Sequence, residues 1–149
     1  MSTRDERPAT GGGADYRGRE LGLPAAGPGS VAGFPVRILA LLVDWAVANA
    51  VAFAIAGPAA WSAGSQLFWL PLTVWFLLVT AATGLTGASA GQWLLRLRVI
   101  RLDRQPVGLP RAAARTALIA LVLPPIILAA DGRGLHDLAL GTVVVHGPR

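Results

Sequence analysis

Residues 34–57, FPVRILALLVDWAVANAVAFAIAG, constrain this chain more than any other stretch, being apolar throughout except for Arg37 and Asp44. At a rise of about 1.5 Å per residue, one continuous helix here is long enough to cross a hydrocarbon core of about 30 Å. Arg37 stands close to one end, where its long side chain can reach the water interface. Asp44 lies seven residues further along, roughly 10 Å deeper on the helix axis. A carboxylate left unanswered at that depth costs about 2.5–3.5 kcal/mol on insertion scales, so the fold must give it a partner, a proton or water. Seven residues are close to two turns, which puts both charges on nearly the same face. Helical side chains lean toward the N-terminus, so Arg37 tilts away from Asp44 and a water or a third group is expected between them. The pair reads either as a buried structural contact that sets helix register or as an ion or substrate site.

Composition places the whole chain in the same class. Of 149 residues, 54% are hydrophobic and 14% charged, too apolar a balance for an ordinary soluble domain of this length. All 13 basic residues are arginine, and the heavy use of Ala, Gly, Pro, Leu and Val points to a GC-rich bacterial genome. With no cysteine, disulfides, thiol catalysis and cysteine metal sites are excluded. His136 and His146 stand at no recognised metal-ligand spacing, and nothing calls for a cofactor. A net charge of +5 could serve nucleic acid, but in a membrane protein arginine clusters mark the cytoplasmic side and its anionic headgroups.

Read in order, residues 1–30 mix Gly, Pro, Ala and alternating charges without hydrophobic periodicity and are expected to form a disordered cytoplasmic tail. The membrane domain is expected over 31–149, with a first span at about 36–56. In that span alanines recur at four-residue spacing as Ala46, Ala50, Ala54 and as Ala48, Ala52, Ala56, thin enough for another helix to pack closely. A short connection carries Trp61 as an interfacial anchor, and the second span follows at 67–83 with an internal Pro71. Residues 84–115 hold six arginines against one acid, Asp103, which places this loop and the N-terminus in the cytoplasm of a multi-pass plasma-membrane protein.

Within that loop, residues 89–98 set Trp93, Leu94 and Leu97 opposite Ser89, Gln92 and Arg96, a pattern suited to a short amphipathic helix in the headgroup region. LRVIRL then reads as extended. The third apolar segment, 116–130, amounts to only about 22 Å of helix and carries Pro124 and Pro125 in its middle. A re-entrant or interfacial hairpin is preferred there over a third full span. Residues 142–145 are β-branched and need a partner strand, and LRVIRL is the available one. The fold expected is thus mainly α and membrane-embedded, with two spans, a broken third apolar segment, an interfacial helix and a small β-ribbon.

An arginine opening the first span, an aspartate seven residues on in LVDW, a Gly-Ala-Ser-Ala-Gly-Gln element leading into LLRLRVI, and a closing LHDLALGTVVV together resemble the RDD family of bacterial membrane proteins. The similarity runs from about Phe34 to His146. The one arginine and two aspartates that give the family its name map onto Arg37, Asp44 and Asp137. The resemblance implies a transport role, cation/proton antiport having been attributed to the family. Where relatives commonly carry Gly-x-Thr-x-Gly-Lys, this chain has Gln92, which loses a positive charge.

Other motifs are weaker. Gly87–Gly91 with Asp131 and His136 follows the order of a hydrolase nucleophile elbow, but the chain has neither the strands nor the length for the sheet that such an elbow crowns. No enzyme is expected, and Ser89 reads as a helix cap. His136 beside Asp137 is either a proton-relay pair or a capped turn. Arg98 or Arg115 could reach Asp44 or Asp137 and hold it as a structural ion pair. An unpaired, dry Asp44 would instead be a proton-exchange group. Two functions follow: exchange of a cation or proton through Asp44, supported by Arg37 and Asp137 and lined by a homo-oligomer, or a membrane accessory subunit that recruits an unidentified protein partner while its charges hold the fold.

Overall fold

A computed structural model describes residues 16–121 and 134–148. The first long helix, α1, spans Phe34–Ala56, opening with Pro35 in its first turn, where a missing N–H costs nothing. It buries Ala40, Asp44, Ala48 and Ala52, one row at four-residue spacing. The second, α2, spans Leu70–Thr86 and buries Pro71, Trp75, Val79 and Thr83 at the same spacing. Two such rows interdigitate, and the indole of Trp75 occupies the room left by Ala48. Of the two alanine rows, the one containing Ala48 and Ala52 is used, while Ala46, Ala50 and Ala54 face outward. Pro71 is not an internal kink: Gln66–Trp69 form a 3-10 turn capped by Ser65, so α2 starts later than expected and the proline falls in its first turn.

These helices are apolar on the outside. In the most apolar window of each, 22% of residues are buried, far less than the core helix of a soluble domain would bury. Leu42, Phe53, Ile55, Leu77 and Leu78 are exposed along them, which is tolerable in lipid and not in water.

The short elements form a cap at the end where α1 begins and α2 finishes. Helix α3 is Ala90–Leu94, β1 is Leu97–Arg101, α4 is Leu109–Ala120, α5 is Leu135–Leu140 and β2 is Thr142–His146. The expected ribbon is present: β1 and β2 pair antiparallel, Leu97 with His146 through Arg101 with Thr142. Residues 29–32 lie along the other edge of β2, with Gly29 and Ala32 N–H groups donating to the His146 and Val144 carbonyls at 2.7 and 2.9 Å. One face of the sheet, Leu97, Val99 and Val144, packs on Ala32, Ala40, Val107 and Ala112. The opposite face, Val143, Val145 and Ile100, is covered by Leu21 and Leu23 from the turns that precede Ser30. Burial on both faces explains why 143–145 is a continuous apolar run and not an alternating one.

Two expectations change in detail. Residues 84–115 are not one loop, since α2 runs to Thr86 and α4 begins at Leu109, so Arg111 and Arg115 belong to a helix. In α3 the polar residues Ser89 and Gln92 turn inward and Trp93 and Leu94 outward, while Leu97 leaves the helix to be buried in β1. Pro124, Pro125 and the rest of 122–130 lie outside the described residues. Pairing of β1 with β2 nevertheless brings the chain back to the end of the molecule from which α4 left.

Candidate functional site

Asp44 projects from the inner row of α1 toward the start of α3, and its two oxygens are met there. Ser89 caps α3: its hydroxyl accepts from the Gln92 N–H at 3.3 Å while the Gln92 side chain accepts from the Ser89 N–H at 3.0 Å, a reciprocal capping box. That hydroxyl donates to Asp44 Oδ2 at 2.5 Å, and the Gly91 N–H donates to Asp44 Oδ1 at 2.7 Å. Contact this close needs a glycine, because a Cβ on Gly91 would overlap the Ala40 carbonyl of α1. The third group expected between Arg37 and Asp44 thus takes the form of a helix start, which answers the acid in place of the arginine.

Arg37 turns instead to the second aspartate. Asp137, in the first turn of α5, is fully buried, and Arg37 Nη1 lies 3.5 Å from its Oδ2. Arg115 Nε donates to Asp137 Oδ1 at 2.9 Å, and the Thr142 hydroxyl donates to the same oxygen at 2.9 Å. His136 Nε2 stands 3.3 Å from Oδ2. Arg37 Nη2 also reaches the Val144 carbonyl at 3.5 Å, so one guanidinium joins the start of α1 to α5 and to β2. Burial alone would raise the Asp137 carboxyl, but the Arg115 charge, the His136 hydrogen bond and charge, and the Arg37 charge outweigh it and hold the group far below the usual carboxylate range.

Between the two acids lies a cavity of about 50 Å³, bounded on its polar side by Arg37, Asp44, Ser89, Gln92, Arg115 and His136 and on its apolar side by Trp75, Val79 and Ile119 among others. Such a volume has room for one or two waters. Of the six residues expected from sequence, Arg37, Asp44, Arg115 and His136 line it, and Asp137 stands behind, paired to three of its lining residues. Arg98 is not brought in: it is exposed on β1 opposite Val145 and makes no ion pair among the described residues. Thr142 was not expected. Its position at the start of the strand was legible, but its contact with an acid five residues back depends on the Gly141 turn between them. Among the described residues no group of three or more metal-ligating side chains converges.

Two long apolar helices left largely uncovered, joined by a cap built around buried arginine–aspartate contacts, define a small membrane protein. The sequence matches the RDD family over residues 31–141, and the chain belongs to that family. Comparison with curated proteins and with solved structures gives no match.

Proposed function

We propose that this RDD protein is a membrane-embedded accessory or scaffold module whose buried charges clamp its cap onto its two spans, without moving ions of its own. The observation that carries this reading is that all four oxygens of Asp44 and Asp137 are met by groups from other elements or neighbouring turns. An acid that binds and releases a cation needs an open coordination side, and here two guanidinium groups, Arg37 and Arg115, face the same small cavity and repel cations from it. The arginines between α2 and α4 support placing the cap and the N-terminus in the cytoplasm, with the connection around Gly64 outside. The protein in liposomes loaded with a pH-sensitive dye is expected to dissipate an imposed proton, Na⁺ or K⁺ gradient no faster than protein-free liposomes. A faster rate with the wild-type protein overturns the proposal.

One observation favours proton exchange as a second reading. Asp44 and His136 line the same water-sized cavity, and His136 Nδ1 is buried with no hydrogen-bond partner among the described residues. Under that reading proton flux exceeds background and falls to it in both Asp44→Asn and His136→Gln, whereas cation gradients alone drive nothing.

A further inference from the structure

On the outer side of the cap, a groove of about 650 Å³ runs from Thr86, the last residue of α2, past Trp93 and Leu94 to Arg96 and Arg98. We propose that this groove is a binding site for an anionic phospholipid headgroup, with Trp93 and Leu94 seated at the acyl boundary and Arg96 and Arg98 on the phosphate. The inference rests on the membrane placement of α1 and α2 and is independent of whether Asp44 exchanges anything.

Depth is the first argument. Gly91 of α3 touches Ala40, six residues into α1, so α3 lies roughly 9 Å along the span from its start. Measured from Arg37 at the interface, Ala40 is only about 4.5 Å further in, so α3 enters just inside the border of headgroups and hydrocarbon, the zone where indole rings concentrate. Orientation is the second. Helix α3 turns its polar residues, Ser89 and Gln92, into the protein and leaves Trp93 77% and Leu94 62% exposed, the reverse of a helix facing water. Charge is the third. Arg96 and Arg98 are exposed, no acid lines the groove among the described residues, and neither guanidinium has an ion pair there. Arg101, at the far end of the same strand, differs, being half-buried and paired with Asp103. A surface that is apolar at its inner edge and basic at its outer edge, with its acids absent, matches a phospholipid with a negative headgroup and not a neutral one.

The test reads Trp93 directly. The full chain is reconstituted in phosphatidylcholine nanodiscs containing either brominated phosphatidylglycerol or brominated phosphatidylcholine, and the Trp93 signal is taken as the difference between wild type and Trp93→Phe. Expected is stronger quenching by the anionic lipid, with apparent headgroup affinity falling about fivefold for each arginine removed in Arg98→Gln and Arg96→Gln/Arg98→Gln. Arg98→Lys, which keeps the charge, retains the preference and so separates lost charge from lost fold. Equal quenching by the two lipids overturns the site, as does a preference that survives in the double variant. Trp93 unquenched by either lipid also overturns it, showing that this face meets something other than the bilayer. None of these outcomes bears on ion flux through Asp44.

Discussion

Asp44 and Asp137 are the same side chain in two differently built surroundings. Asp44 is held by two hydrogen-bond donors at a helix start, Asp137 by two guanidinium groups, an imidazole and a hydroxyl. Removing one member of a buried ion pair leaves the other stranded and costs about 3–5 kcal/mol. Asp137→Asn and Arg115→Gln are each expected to lower unfolding stability by that order, read from denaturant or thermal unfolding in detergent. Ser89→Ala removes both a charge-assisted hydrogen bond, worth about 1.5–3 kcal/mol, and a helix cap, whereas Ser89→Thr keeps the hydroxyl and most of the stability. The pH dependence follows from the lowered Asp137 carboxyl. Its folded-state affinity for protons is below that of the unfolded chain, so its contribution is fully present above the unfolded value near 3.8 and is lost as pH falls below it. The stability difference between wild type and Asp137→Asn is therefore constant from neutral pH down to about pH 4 and shrinks below. A difference already gone at pH 6 would contradict the pairing.

At the scale of elements, the apolar runs that become α1 and α2 and the β-branched run that becomes β2 were readable because each is decided locally, by length, periodicity and side-chain shape. Phe34–Ala56 differs from the expected span by one turn or less. Arg37, Asp44 and Asp137 were readable as special because charge in an apolar setting stands out wherever its partner lies. Their partners were readable only in part: Arg115 is one of the two arginines expected to reach an aspartate and does pair with Asp137, but the groups that meet Asp44 were not. Ser89 and Gly91 meet Asp44 across 45 and 47 residues of chain, and nothing in either neighbourhood encodes that distance. Sequence leaves Arg98 and Arg115 as equal candidates for pairing with an aspartate, and the packing of α4 on α2 and α5 is what turns Arg115 inward while Arg98 stays exposed. The docking of α3 on α1 offers a sharp test. Gly91→Ala places a methyl group against the Ala40 carbonyl, so α3 must lift off and Asp44 lose both donors. Hydrogen exchange at the α3 and β1 amides is expected to rise, with little change in the middle of α2.

Over the whole molecule, the sheet closes the chain upon itself: β1 precedes α4, β2 follows α5, and residues 29–32 join them from ahead of α1. Both ends of the membrane domain therefore meet in one cap, with Gly64 at the opposite end of the two spans. A chain free of native thiols makes this easy to check. Single cysteines at Gly147 and Arg98 are expected to label from the same side with an impermeant reagent, and one at Gly64 from the other. Apolar packing seats α3 on α1 and α4 on α2, and the polar contacts that lock the cap to the spans are those of Arg37 with Asp137 and of Asp44 with Ser89 and Gly91. The measurement that tests this locking most directly is Asp44→Asn against wild type in the same lipid, with unfolding midpoint and ion flux taken from one preparation. Asp44→Asn is expected to lower the midpoint by several degrees, with flux at the protein-free level for both proteins. Flux above background in the wild type that vanishes in Asp44→Asn, with the midpoint unchanged, would contradict the locking role.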